Sequence, residues 1–259
     1  MSKKLAGRAL YPSLKGRSVF ITGGGTGIGA VMVKRFCQQG AKVTFVDIAT
    51  QASDALCQYL HEQGYNDVHF IQCDIRNIDH LLQSIEKARN TCGDISILIN
   101  NAADDTRHSI EEMTVEYWDD RMAVNLRPIF FCAQAIIPQM QGLGGGSIIN
   151  LGSVSWRLKQ TGMPAYTTAK AAIEGLSKTL AAQHGKDNIR VNTLVPGWVM
   201  TDKQMQRWLN PDIVKDIHEN QCLKHTLQPD DIANTALFLA SDDSNMMTAQ
   251  TIIVDGGWV

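Results

Sequence analysis

The 259-residue sequence has no surplus of charge: 24 Lys and Arg stand against 26 Asp and Glu, a formal net charge of −2. It offers no basic face to hold nucleic acid and no polybasic anchor for a membrane surface. Proline is scarce, at 7 residues, and apolar residues reach 44%, which argues against disorder. The six cysteines, at 37, 57, 73, 92, 132 and 222, form no CxxC pair. In a chain of this length they read as reduced thiols used in packing, so a cytoplasmic location is expected. The seven His form no HExxH and no His/Cys cluster, so no metal site is expected. No apolar run follows the basic residues Lys3, Lys4 and Arg8, so no signal peptide is expected. The longest uncharged stretch, Pro128–Trp156, is long enough to span a bilayer. It carries Pro138, four glycines between Gly142 and Gly146 and three glutamines, and reads instead as a helix, a loop and a strand.

What is present is an alternation. Strands are expected at Ser18–Thr22, Lys42–Asp47, Val68–Cys73, Ile95–Asn100, Ser147–Leu151, Arg190–Val195 and Thr251–Val254. Runs such as Ile97-Leu98-Ile99 are apolar at every position, as in strands buried on both faces. Helix-length segments lie between them: Gly29–Gln39, Ala52–Gln63, Ile78–Thr91, Tyr117–Met140, Tyr166–His184 and Asp230–Ala240. Alternating β and α units predict an α/β fold: a parallel sheet with right-handed crossovers and helices on both faces. No internal repeat or linker-like composition appears, so one domain over residues 1–259 is expected. Gly197–Lys224 breaks the rhythm, with Trp198, Met200, Met205, Trp208 and Pro211. A segment this long without a strand serves either as a lid over a site or as a peripheral helix pair with its own small core.

After the first strand comes Thr22-Gly23-Gly24-Gly25-Thr26-Gly27-Ile28-Gly29, and then a helix. Glycines let the backbone turn tightly and approach a pyrophosphate, and the helix N-terminus supplies free N–H groups and a positive dipole end. A tight turn alone also uses glycine, but strand, glycines and helix in this order make the dinucleotide context. No Lys-Ser/Thr follows, which excludes a nucleoside-triphosphate P-loop. Asp47 ends the second strand, placed to accept hydrogen bonds from the ribose hydroxyls of NAD and to repel the 2′-phosphate of NADP. Neither Arg nor Lys sits in the glycine loop, so NAD is expected. Asp74 ends the third strand. It either reaches the adenine amino group or is an ordinary turn aspartate.

Tyr166 and Lys170 are four apart on a predicted helix and share a face. Ser153 follows the fifth strand, on the side where open α/β sheets bind ligands. Together with Asn100-Asn101-Ala102 and Pro196-Gly197, these motifs resemble the short-chain dehydrogenase/reductase family over nearly the whole chain. The resemblance implies a Rossmann-type doubly wound three-layer sandwich on a seven-stranded parallel sheet. It also implies a catalytic tetrad of Asn125, Ser153, Tyr166 and Lys170. Cofactor contacts are then expected at Gly23, Thr26, Gly27, Ile28, Gly29, Asp47, Asp74, Ile75, Asn101, Ala102, Tyr166, Lys170, Pro196, Gly197, Val199 and Thr201. Ala103 stands where the family carries a glycine, and its methyl is expected to tighten the backbone there. A homotetramer is implied too, with Ala169, Ala171, Ala172 and Gly175 as a small-residue patch for close approach; packing within the chain is the other use of these residues.

In the mechanism so implied, the Lys170 ammonium and a positive nicotinamide favour tyrosinate, whose unperturbed pKa of about 10 is too high for a base at neutral pH. Tyr166 takes a substrate hydroxyl proton, Ser153 holds the same oxygen, and Asn125 positions a water beside Lys170.

Shorter stretches, among them Asp104–His108, Tyr117–Arg121, Ser153–Trp156 and Gln221–Lys224, are similar to bacterial aldose 1-dehydrogenases of the family. The implied substrate is a small uncharged sugar, with contacts from Asp105, Ser153, Trp156, Tyr166 and Trp198. Arg157 and Gly162-Met163-Pro164 depart from the xylose-oxidising relatives. Other readings are a polyol or secondary-alcohol dehydrogenase, a 3-oxoacyl reductase, or a non-catalytic NAD-binding regulator.

Overall fold

A strand buried on both faces needs apolar side chains at successive positions, and β1 (Ser18–Thr22) and β4 (Ile97–Asn100) have them. Val19, Ile21, Ile97 and Ile99 enter one core, while Phe20 and Leu98 enter the other. The computed structural model of the protein describes residues 9–259; Lys3, Lys4 and Arg8 lie outside the described residues. Five further strands complete a parallel sheet: β2 (Lys42–Asp47), β3 (Val68–Gln72), β5 (Gly146–Leu151), β6 (Ile189–Pro196) and β7 (Thr251–Val254). Their order is β3-β2-β1-β4-β5-β6-β7. The order reverses between β1 and β4, and a crevice opens there beyond the carboxyl ends of the strands.

Helices cover both faces. The first core joins α1 (Gly27–Gln38), α2 (Thr50–Glu62) and α9 (Pro229–Ala240) to the sheet through Met32, Phe36, Leu60 and Ile232. The second joins α3 (Ile78–Cys92), α5 (Arg127–Gly142) and α6 (Pro164–His184) through Leu81, Ile85, Ile136 and Leu180. Observed boundaries fall within two residues of the sequence expectation at most ends. Tyr117–Met140 is the exception. It is two helices, α4 (Val115–Asn125) and α5, broken at Leu126. The cause is Pro128, which lacks an N–H and crowds the preceding turn, so it fits only in the first turn of a new helix. Asn125 thereby becomes the last residue of α4 rather than a mid-helix residue. Gly197–Lys224 contains two short helices, α7 (Asp202–Arg207) and α8 (Pro211–Asn220). No helix among the described residues is long and apolar enough to cross a membrane.

A buried polar chain fixes α6 to the sheet. Asn100 Nδ2 donates to Asn150 Oδ1 at 2.8 Å, and Asn150 Nδ2 donates to Ser177 Oγ at 2.9 Å. Thr193 Oγ1 lies 2.9 Å from the same hydroxyl, which in turn donates to Ile173 O at 2.8 Å. Four elements, β4, β5, β6 and α6, are held in register by one network, and α6 carries Tyr166 and Lys170. Replacing Asn150 by Ala leaves the buried Asn100 amide without this acceptor and removes one donor from the Ser177 hydroxyl, and is expected to cost about 2 kcal/mol of stability. Urea denaturation of the variant checks this.

Candidate active site

The glycine loop folds onto the chain segment after β4. Gly23 has φ +68°, and a Cβ there would stand 2.7 Å from Ala102 Cα. A Cβ at Gly29 would fall 1.8 Å from Gly23 O, so this position accepts no side chain. Thr22 Oγ1 accepts the N–H groups of Asn101 and Ala102 at 3.0 and 3.1 Å. Asn101 Nδ2 returns donors to Thr22 O and Gly23 O at 3.1 and 2.8 Å. Thr26 begins α1 without a side-chain cap, which leaves the first-turn N–H groups for a ligand.

Asp47 lines the cavity beside the glycine loop. Its Oδ2 accepts Gly25 N–H and its Oδ1 accepts Ala49 N–H, both at 2.8 Å. The carboxylate is held at the cavity wall, and the glycine loop beside it carries no cation. The cradle and the carboxylate fit a dinucleotide with free ribose hydroxyls. Ile75 lines the wall as expected from its position after β3. Asp74 lines it too, but its carboxylate is engaged by Arg76 at 2.6 Å and accepts the Arg76 N–H, the hydrogen bonding of a turn aspartate. Arg76 holds the Asp74 carboxyl below the usual range. Ala103 lines the cavity without positive φ, so its methyl does not strain the backbone.

Beyond β5 and β6, Pro196, Gly197, Val199 and Thr201 line the same cavity of about 620 Å³. So do Ser153, Tyr166 and Lys170. Lys170 is 2% exposed, and its ammonium donates to Leu151 O at 2.7 Å. Burial pulls its pKa down to about 8. Its Nζ lies 5.5 Å from the Tyr166 ring centroid. Burial raises the Tyr166 pKa above the ordinary value, Asp105 adds to that, and a hydrogen bond with Ser153 opposes it. In the chain alone the net effect is to hold the phenol protonated.

Asn125 is fully buried, and both ends of its amide hold the backbone of Asp104: Oδ1 accepts the N–H at 2.9 Å and Nδ2 donates to the carbonyl at 3.1 Å. These two bonds fix the loop that borders the site. Trp156, expected at the substrate, stands outside the cavity lining. Its indole stacks under Arg157 at 4.3 Å, and Arg157 pairs with Glu174 at 2.7 Å. This pairing turns both residues toward α6 instead. Trp198 does line the cavity, with an indole N–H that finds no partner among the described residues. Asp105 lines it as well, but both carboxylate oxygens are bonded to α7.

Sequence reasoning missed Arg107, Gln160, Lys203, Gln204 and Trp258, all of which line the cavity. Arg107 lies over the Trp208 ring at 5.1 Å. Trp258 arrives because Asp255 accepts the N–H groups of Gly257 and Val259 at 2.7 and 2.9 Å, which hooks the C-terminal tail back. The only local signal was Gly256-Gly257, both at positive φ. The geometry combines a dinucleotide cradle with a phenol, a hydroxyl and an ammonium at one end, which suits proton transfer beside a hydride acceptor. Tyr166→Phe is expected to lower turnover at least 1,000-fold while NADH binding stays within about threefold, because only the proton-transferring oxygen is lost. Single-turnover rates and NADH fluorescence titration measure the two separately.

Comparison with known proteins agrees with this geometry. Residues 23–259 match the family described as Enoyl-(Acyl carrier protein) reductase. The chain is 47% identical to "Probable galactose dehydrogenase GalD" of Rhizobium meliloti (strain 1021), over 95% of this chain and 96% of that one. It is 44% identical to "D-xylose 1-dehydrogenase" of Caulobacter vibrioides (strain NA1000 / CB15N), over 96% and 98%. Among solved structures, a 7α-hydroxysteroid dehydrogenase complexed with NADH and 7-oxo glycochenodeoxycholic acid superposes with a TM-score of 0.90 at 30% identity, covering 95% of this chain and 96% of that one.

Proposed function

Because the chain belongs to the short-chain dehydrogenase/reductase family, we propose that it is an NAD-dependent aldose 1-dehydrogenase that oxidises the C1 hydroxyl of a cyclic sugar to an aldonolactone. The observation that carries this reading is the juxtaposition of Ser153, Tyr166 and buried Lys170 with a cradle ending in Asp47, in a chain over 40% identical to two sugar dehydrogenases.

The chain's own residues divide the work. Gly23–Gly29, Asp47 and Asn101 would hold the dinucleotide, and Pro196–Thr201 would border its nicotinamide; residues of all these segments line the cavity. When bound, NAD supplies the acceptor for the hydride that leaves C1. Tyr166 takes the proton from the C1 hydroxyl, and Ser153 donates a hydrogen bond to the same oxygen. Lys170 carries the positive charge that offsets the forming phenolate, and Leu151 O keeps its ammonium in place. In the reverse direction the phenol, whose pKa is raised in the chain alone, is the proton donor.

The substrate end is polar without being anionic overall: Arg107, Gln160, Lys203 and Gln204 stand with Asp105 and Trp198. Donors and acceptors of this kind suit several hydroxyl groups. We assign residues 197–224 as the lid of a single domain. Six unpaired cysteines support a cytoplasmic enzyme. Ala172 and Gly175 are exposed on α6, with open space beyond Gly175, which supports a homotetramer that uses this helix.

An initial-rate panel of pentoses and hexoses with NAD and NADP tests the proposal. At least one aldose is expected to give lactone with NAD; no product from any aldose overturns the substrate assignment. Asp47→Ala is expected to shrink the NAD/NADP preference by tenfold or more, since the carboxylate both holds the ribose hydroxyls and repels the 2′-phosphate. The ratio of kcat/KM for the two cofactors reads it.

A further inference from the structure

The short helix α7 closes on one side chain. Lys203 Nζ lies 2.6 Å from Asp105 Oδ1, and Gln204 Nε2 donates to Asp105 Oδ2 at 2.5 Å. Both oxygens of the carboxylate are committed to the lid. The Asp105 side chain is 15% exposed, against 40% for Lys203. Such a pair is asymmetric: the lysine can return to water, while the carboxylate stays largely buried with Arg107 as the cation still acting on it. Asp104 lies 3.8 Å from the same ammonium but has its own partner in Arg121 at 2.5 Å.

Asp105 also faces the reacting pair. After burial it is the strongest upward influence on the Tyr166 pKa, and it raises that of Lys170. The charged groups around the phenol can be enumerated. Asp104, Asp105 and Arg107 come from the segment after β4, and Lys170 comes from α6 itself. Lys203 comes from α7 through its contact with Asp105. Asp104 is neutralised by Arg121, so Asp105 is the anion whose compensation depends on the lid.

We propose that Lys203 is a positioning residue that links lid closure to activation of Tyr166. With α7 docked, the ammonium covers the Asp105 carboxylate and offsets part of the negative charge that opposes a tyrosinate. With α7 lifted, Asp105 loses the Lys203 charge and retains that of Arg107, and Tyr166 holds its proton more tightly. Proton transfer is thereby restricted to the closed state, in which the site is covered. No bond beyond those of the dehydrogenation is made or broken. The inference rests on Tyr166 as the base and is independent of which sugar is oxidised.

The test is an ultraviolet titration of tyrosinate in the NAD-saturated enzyme. Subtracting the trace of Tyr166→Phe isolates Tyr166 without any substrate. Lys203→Met is expected to raise the Tyr166 midpoint by about one pH unit, and Lys203→Arg to restore it. Asp105→Asn is expected to lower the midpoint below that of the natural protein. In the Asp105→Asn/Lys203→Met double variant, the rise caused by Lys203→Met alone is expected to vanish. A midpoint in Lys203→Met equal to that of the natural protein overturns the proposal, as does the full rise persisting in the double variant. The readout uses no sugar, so a failed sugar panel and a failed coupling are separate results. Where a sugar is turned over, the acid limb of kcat/KM is expected to move with the same sign.

Discussion

An ammonium taken out of water loses its hydration, and Lys170 recovers part of it from one carbonyl, Leu151 O at 2.7 Å. No carboxylate pairs with it among the described residues. The site depends on this arrangement. A carboxylate bonded to Lys170 would neutralise the charge that the Tyr166 phenolate needs. A carbonyl orients the ammonium but leaves its charge available. The cost of burying it is borne by the fold: the Asn100–Asn150–Ser177 network fixes α6 against β4, β5 and β6, and β5 supplies the carbonyl. Catalytic geometry and sheet register are thus one constraint.

The dinucleotide end is built on the same economy of backbone groups. Thr22, Gly23, Asn101 and Ala102 bond to one another across the switch point between β1 and β4, so the segments that leave these two paired strands are held by polar contacts. Gly29 has no room for a side chain because the loop folds back on Gly23 O. Its glycine is set by close approach, whereas at Gly23 positive φ and close approach both act. Asp47 serves twice, as partner of Gly25 N–H and as the wall of the cavity. The loop's shape and the choice of cofactor are therefore coupled through one carboxylate.

The substrate end follows another logic. Its side chains come from the segment after β4, from the turn after β5, from α7 and from the C-terminal tail. The 197–224 segment is tied by Met200 N–H to Leu227 O at 2.8 Å and by Leu223 N–H to Gly256 O at 2.9 Å. Asp105 is where these parts meet the catalytic pair, and its buried charge makes that contact electrostatic as well as steric.

The sheet, the glycine loop and the grouping of Ser153, Tyr166 and Lys170 were legible in the sequence because their signals are local. Apolar runs such as Ile97–Ile99 mark strands, glycines after a strand mark the cradle, and a four-residue spacing puts Tyr166 and Lys170 on one helix face. The break at Leu126 was local too, but Pro128 had to be weighed against an otherwise continuous helical pattern. What the sequence could not order was the set of long-range polar pairings. Asn125 with the Asp104 backbone, Arg157 with Glu174, and Asp105 with Lys203 are separated by 21, 17 and 98 positions. Each joins residues that also have plausible uses elsewhere, as water holder, sugar contact or solvated charge. Only the folded chain assigns them, because a buried polar group must bond whatever the packing brings within reach. The amino-acid order alone determined a dinucleotide fold with a tyrosine–lysine pair; which residues surround the substrate was decided when sheet, lid and tail came together.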